Sequence, residues 1–105
     1  MAGVVDLSPE TVHAALEAGE ILLVDVREPH EFDQVRIPGA VNLPLSTFDP
    51  AALPSEPGKR VVLQCAGGVR SVTAAHQAQA AGVDIHEHLA GGIKAWMTAG
   101  LPVQS

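Results

Sequence analysis

Two segments of the chain are apolar without alternation. Residues 21–26 are broken only by Asp25, and residues 60–64 place Val61, Val62 and Leu63 in succession. Successive strand side chains point to opposite faces, so an unalternated run predicts a strand covered on both, as in a parallel sheet between helices. Shorter strands are predicted at 4–5, 40–42 and 86–89. Between them the period changes. Val12, Ala15 and Leu16 form an i, i+3, i+4 stripe behind Ser8, Pro9 and Glu10, which supply an N-cap, a proline at the first helical position and an acid in the first turn. Leu7 and Val12 are placed to staple that cap, and Gly19 stops the helix. Residues 71–81 predict an alanine-rich helix slim enough to lie close to a sheet and ended by Gly82, and 92–99 a final short one closed by Gly100 and Pro102. Residues 27–32 turn into a short helix and Ile37, Pro38 and Gly39 make a tight turn. Residues 44–57 carry four prolines and should be irregular, with one short helix near 48–53.

Strands alternating with helices in this rhythm predict the α/β class, with a small, mostly parallel central sheet flanked by helices on both faces. In such sheets functional groups sit outside the carboxyl ends of the strands. The length of 105 residues, without internal repeats, suits a single domain spanning 1–105. A composition of 47% hydrophobic and 17% charged residues argues against disorder. No apolar stretch approaches the roughly 20 residues of a membrane span, and the start of the chain has neither the basic nor the apolar region of a secretory leader. A cytoplasmic location is expected. The formal net charge of −6 disfavours nucleic acid and anionic membranes as partners.

Cys65 is the only cysteine, which rules out an internal disulfide and fits a reducing compartment. It follows the strand at 60–64 and opens the run Ala66, Gly67, Gly68, Val69, Arg70, Ser71. A lone cysteine at a strand end reads as a small buried hydrophobe. Paired glycines, an arginine and a helix start change that reading. Gly67 and Gly68 can take positive φ at no steric cost, so successive N–H groups can converge as a nest. Arg70 adds a fixed charge and a donor fork, and Ser71 can cap the next helix. A cation or helix N-terminus favours thiolate over thiol, so the loop predicts a pocket for an anionic sulfur with room for one small anion above it. An acidic protein does not steer anions, which leaves Arg70 as the local attractor.

Cys65, four intervening residues and then Arg70-Ser71 resemble the active loop of rhodanese-type sulfurtransferases. Further similar motifs follow the family's order: Asp25-Val26-Arg27-Glu28-Pro29-x-Glu31-Phe32, Ile37-Pro38-Gly39-Ala40-Val41-Asn42 and Gly91-Gly92-Ile93-x-Ala95-Trp96. The resemblance covers nearly the whole chain. It implies the three-layer rhodanese-like fold and a stand-alone thiosulfate sulfurtransferase. In that chemistry the Cys65 thiolate attacks the outer sulfur of thiosulfate, sulfite departs, and the persulfide passes its sulfur in a ping-pong cycle to cyanide or a dithiol, a thioredoxin-like protein among them. Ala66, Gly67, Gly68, Val69, Arg70 and Ser71 would form the substrate-binding loop, with Asp25 and Arg27 as structural support nearby. No metal or organic cofactor is implied. The alternative is a persulfide carrier or binding module serving a protein partner.

Two departures from the family pattern stand out. Where the family commonly has His-Ile-Pro-Gly, this chain has Arg36, which is expected to point to solvent. The four residues between Cys65 and Arg70 carry no charge, so anion affinity must come from backbone N–H groups and Arg70. Related dual-specificity phosphatases and arsenate reductases separate cysteine and arginine by five residues. The shorter ring suits a sulfur atom on Cys65 better than a tetrahedral oxyanion, so both of those activities rank below sulfur transfer.

The remaining polar residues take structural readings. Arg27 precedes Glu31 by four residues and predicts a local ion pair. Sulfur transfer needs no paired carboxylates, so Asp25, Glu28 and Glu31 are assigned to structure. His86 and His88 share one side of a strand but lack a third ligand at metal spacing, and read as surface or edge residues. His13 and His30 are expected in solvent, and nothing pairs a histidine with Cys65. Trp96 should pack on the sheet, and Gly91-Gly92 is too short for a dinucleotide fingerprint.

Overall fold

The computed structural model describes residues 3–105; Met1 and Ala2, at which the reading for a leader begins, lie outside the described residues. The elements follow in the order β1 (Val5–Leu7), α1 (Pro9–Glu17), β2 (Ile21–Asp25), α2 (Pro29–Gln34), β3 (Val41–Asn42), β4 (Arg60–Gln64), α3 (Arg70–Ala80), β5 (Glu87–Leu89) and α4 (Gly92–Thr98). The five strands form one sheet in the order β1-β5-β4-β2-β3, and every strand pair is parallel. The one antiparallel contact among the described residues is an isolated bridge between Arg36 and Gln104.

Both unalternated runs are the central strands. Ile21 to Asp25 of β2 lie in register with Arg60 to Gln64 of β4, which brings Asp25 beside Gln64 at their carboxyl ends. Each sheet face carries its own core. Val12 and Ala15 of α1 and Ile93 and Trp96 of α4 pack with Ile21, Leu23, Val62 and Leu89 on one face. Ala74, Ala75 and Ala78 of α3 pack with Val24, Leu63 and Cys65 on the other, joined by Leu45, Phe48 and Leu53 from the proline-rich segment. Alanines let α3 approach the sheet closely, which sets the start of this helix directly beside the end of β4.

The differences from expectation are local. Ser8 caps α1 as predicted, with its hydroxyl oxygen accepting from the Thr11 N–H. The proline-rich segment forms two 3₁₀ turns, Leu45–Thr47 and Pro50–Ala52, instead of one helix at 48–53; prolines at 44 and 50 start each turn and leave no room for a longer ladder. α2 begins at Pro29, two residues after the predicted turn, because proline fits a first helical position. His13 is half-buried and meets the Trp96 ring edge-on, with the ring centroids 5.6 Å apart, and is not in solvent. Arg36 is also half-buried: its guanidinium lies 5.3 Å from the Phe32 ring centre and donates to the Phe32 carbonyl.

Candidate active site

Cys65 stands one residue past β4, at the carboxyl edge of the middle strand, and its residue is 1% exposed. The loop from Ala66 to Val69 returns the chain into α3. Its peptide planes are set by α4, whose first turn donates from the Ile93 N–H to the Cys65 carbonyl (2.9 Å) and from the Lys94 N–H to the Ala66 carbonyl (3.2 Å). With the carbonyls held on the outside, the N–H groups turn inward. Gly92 permits this contact, since a Cβ there would overlap the Cys65 and Ala66 carbonyls, and its φ of +63° suits glycine. Gly68 takes the one positive φ within the loop (+98°), whereas Gly67 does not, so a single left-handed residue turns the chain.

Two backbone donors converge on the Cys65 Sγ, the Gly68 N–H at 3.1 Å and the Ser71 N–H at 3.4 Å, and the thiol itself donates to the Ser71 Oγ at 3.4 Å, a hydroxyl that can donate back once the sulfur is ionised. Burial pushes the thiol pKa up, but the Ser71 hydroxyl and the N–H groups of Ser71, Gly68 and Gly67 outweigh it and leave the pKa below its ordinary value. The pocket therefore favours an anionic sulfur. Ser71 does not cap α3 with its side chain as expected; Val69 is the N-cap residue, and the Ser71 hydroxyl faces the thiol. That hydroxyl also lies 2.8 Å from the Nδ1 of His88, whose Nε2 lies 2.6 Å from the Asp6 carboxylate. His88 is 3% exposed and is neither a surface nor an edge side chain. His86 and His30 are exposed, and no group of three or more His, Cys, Asp or Glu among the described residues is arranged to hold a metal ion.

Arg70 and Glu31 build the opposite wall. The Glu31 carboxylate receives two hydrogen bonds from the Arg70 guanidinium, at 2.7 and 3.0 Å. The predicted Arg27–Glu31 ion pair does not form. Arg27 instead folds back on Asp25, with Nε and Nη2 on the carboxylate at 2.8–3.1 Å, and its own N–H adds a fourth bond at 2.9 Å. The other face of the guanidinium holds α2, through the Val35 carbonyl at 2.7 Å and the Glu31 carbonyl at 3.4 Å. Asn42 donates to the Asp25 and Arg27 carbonyls and ties β3 to the same corner. Asp25 and Arg27 thus fix α2, α2 presents Glu31, and Glu31 engages the arginine at the end of the loop.

The Arg70 hydrogen bonds hold the Glu31 pKa down to about 2, against an ordinary value of 4.5 and against the opposing effect of burial. A carboxylate whose folded pKa is depressed stabilises the fold fully above its unfolded value and loses that contribution as the pH falls through the folded one. Glu31→Gln should therefore melt below the wild type at neutral pH, with the gap closing as the pH falls from about 4.5 toward about 2. Thermal melts of both proteins across that range check this, and a gap independent of pH would contradict it.

Rhodanese-like domain is the family description that matches residues 8–99 of the chain. The chain belongs to this family. Its rhodanese-like fold is shared with the human single-domain sulfurtransferase TSTD1, at a TM-score of 0.72 and 29% identity over 93% of this chain and 97% of that one. Among curated relatives, the uncharacterized protein slr1261 of Synechocystis is 44% identical over 93% of this chain and 55% of its own length. A sulfurtransferase of Allochromatium vinosum is 39% identical over 80% and 78%. The chain spans about half the length of the Synechocystis relative. All four rhodanese-like motifs seen in the sequence now have positions: two build the wall at β2, α2 and β3, one is the Cys65 loop, and one is the α4 turn that orients it.

His88 and Asp6 were missed at the sequence level. The available signal was the parallel register of two short strands, in which Asp6 is the partner of His88.

Proposed function

We propose that this rhodanese-like chain is a sulfurtransferase in which Cys65 carries a sulfane sulfur as a persulfide. The observation that carries this reading is the convergence of the Gly68 N–H and the Ser71 N–H on the Cys65 Sγ, with the Ser71 hydroxyl hydrogen-bonded to the same sulfur. Such donors stabilise an anion on sulfur without placing an acid directly against it. In the first half-reaction the thiolate attacks the outer sulfur of the donor. The new S–S bond forms as the S–SO₃ bond of thiosulfate breaks, and sulfite leaves with the electron pair. In the second, a thiophilic acceptor attacks the outer sulfur of the persulfide and the Cys65 thiolate is the leaving group. Ala66 to Ser71 form the loop around the transferred atom, and Asp25 and Arg27 support its wall. We read residues 1–105 as one domain, acting in the cytoplasm.

A second reading concerns the donor. Arg70, the one cation of the loop, has its charge countered by Glu31, and Val69 at the loop tip is 77% exposed. A neutral, protruding rim suits a protein-borne persulfide better than a free dianion, which makes a carrier role serving a protein partner the alternative. Phosphatase and arsenate reductase chemistry stay below both, since the four-residue gap to Arg70 leaves a narrow ring.

Thiosulfate treatment followed by intact-mass analysis tests the proposal. The expected result is a gain of one sulfur atom at Cys65 with one sulfite released per chain. Loading that requires high thiosulfate but occurs at low concentrations of a persulfide donor selects the carrier reading. An unmodified Cys65 with both donors would overturn sulfur transfer altogether.

A further inference from the structure

We propose that Ser71, His88 and Asp6 form a proton relay that takes the thiol proton of Cys65 onto His88, with the Asp6 carboxylate behind the imidazolium. The inference rests on the reading of Cys65 as the sulfur-carrying nucleophile. Three contacts run in series: Cys65 Sγ to Ser71 Oγ at 3.4 Å, Ser71 Oγ to His88 Nδ1 at 2.8 Å and His88 Nε2 to Asp6 Oδ1 at 2.6 Å. The thiol is buried, the His88 side chain is 4% exposed, and the Asp6 side chain is 75% exposed. The series therefore begins in the core and ends in solvent.

A hydroxyl donates and accepts at once, so the series has two consistent hydrogen-bonding patterns. In one, the Cys65 thiol donates to Ser71 Oγ, and the Ser71 hydroxyl donates to His88 Nδ1. In the other, the Ser71 hydroxyl donates to the Cys65 thiolate, and His88 Nδ1–H donates to Ser71 Oγ. His88 Nε2–H donates to the Asp6 carboxylate in both. Passing between them breaks the S–H bond, exchanges one proton for another on Ser71 Oγ and makes an N–H bond on His88. No electrons are gained or lost. Asp6 fixes the tautomer and ring plane of His88 and offsets the charge of the imidazolium, the role an aspartate plays behind any histidine base.

Ser71 also keeps the imidazolium one hydroxyl away from the sulfur. The thiol can be deprotonated through the relay, yet the terminal sulfur of a persulfide is not set against an acid. His88 and Asp6 are positioning residues in this scheme, since they act through Ser71. Other ionisable groups on the packed elements are engaged elsewhere or exposed. Arg60 of β4 pairs with Glu87 of β5, Arg70 of α3 pairs with Glu31, and His76 of α3 and Lys94 of α4 are exposed. Glu87 precedes His88 on β5 and so projects from the opposite face of the sheet.

Alkylation of reduced protein by iodoacetamide as a function of pH tests the relay, with circular dichroism confirming the fold of each variant. His88→Gln should react about tenfold more slowly than wild type at about pH 6. Asp6→Asn, which changes an exposed side chain, should shift the profile in the same direction by a smaller factor. If His88→Gln fails to fold, the Asp6→Asn profile decides. Profiles that superimpose on the wild type would overturn the relay, since a purely structural role lowers the melting temperature without moving them. Alkylation needs no sulfur donor. A wild type that takes up no sulfur while His88→Gln moves the profile would therefore overturn the transfer reading and leave the relay standing.

Discussion

Replacing Cys65 by serine should abolish sulfur transfer and leave the fold in place. The serine oxygen would accept from the same Gly68 and Ser71 N–H groups and its hydroxyl would donate to the Ser71 Oγ, so the new polar group is buried but satisfied. A cost of about 1 kcal/mol is the expected scale, which for a domain of this size lowers the melting temperature by roughly 4 °C. The chemical loss is far larger. A hydroxyl stays protonated where a thiol with a lowered pKa ionises, and an S–O bond cannot replace the S–S bond that holds the transferred atom. Removing a covalent nucleophile costs on the order of 10³-fold or more in turnover. Sulfite release and intact mass, measured beside a thermal melt, separate the two effects. Sulfur uptake by a folded Cys65→Ser protein would exclude the mechanism.

Arg27→Met should have the largest effect on stability. Asp25 is 0% exposed and Arg27 3%, so the pair is fully desolvated and each charge relies on the other. Losing the guanidinium leaves a buried carboxylate with one remaining donor, the N–H of residue 27, frees the Val35 carbonyl at the end of α2 and leaves the Glu31 carbonyl with the Val35 N–H alone. Breaking a buried pair from one side costs about 3–5 kcal/mol. The melting temperature should fall by on the order of 15 °C. Methionine keeps much of the side-chain volume, so the loss would report the charge and its hydrogen bonds more than a cavity. A fall of less than about 3 °C would mean that water reaches Asp25 and that the corner is not the rigid support described above.

The parts of this structure legible in the sequence are those encoded by local pattern. β2 and β4 follow from runs with both faces apolar, α1 from a cap and a stripe, and the Cys65 loop from its position after a central strand. Contacts between side chains of distant elements carried no such signal. Ser71 looked like a helix cap because serine at a helix start usually is one, yet the N-cap position went to Val69 and left the hydroxyl free for sulfur. Arg27 and Glu31 have the spacing of a helical ion pair, but Arg27 precedes α2, and the nearer Asp25 captures its guanidinium. The released Glu31 then meets Arg70, 39 residues away. His88 is polar in a three-residue strand, a pattern that fits an edge equally well; β1 pairs outside β5, turning that edge into an interior position.

The two flanks of Cys65 differ in how they hold against thermal fluctuation. On the side of β2 and α2, a buried ion pair and Asn42 knit consecutive segments together, and such buried bonds are expected to open only with the core. On the other side, Asp6 belongs to a three-residue edge strand whose one neighbour is β5, and its partner His88 lies 82 residues further along the chain. Long loop closures form late in folding, and edge segments with few buried side chains open at free energies well below global unfolding. Undocking of β1 with the core intact is the expected first local opening, and it would take the carboxylate away from His88. Hydrogen exchange at Val5, whose N–H bonds to the His86 carbonyl, reports how often that happens. Under the proposed relay, the reactivity of the central thiol would follow the fraying of the outermost strand.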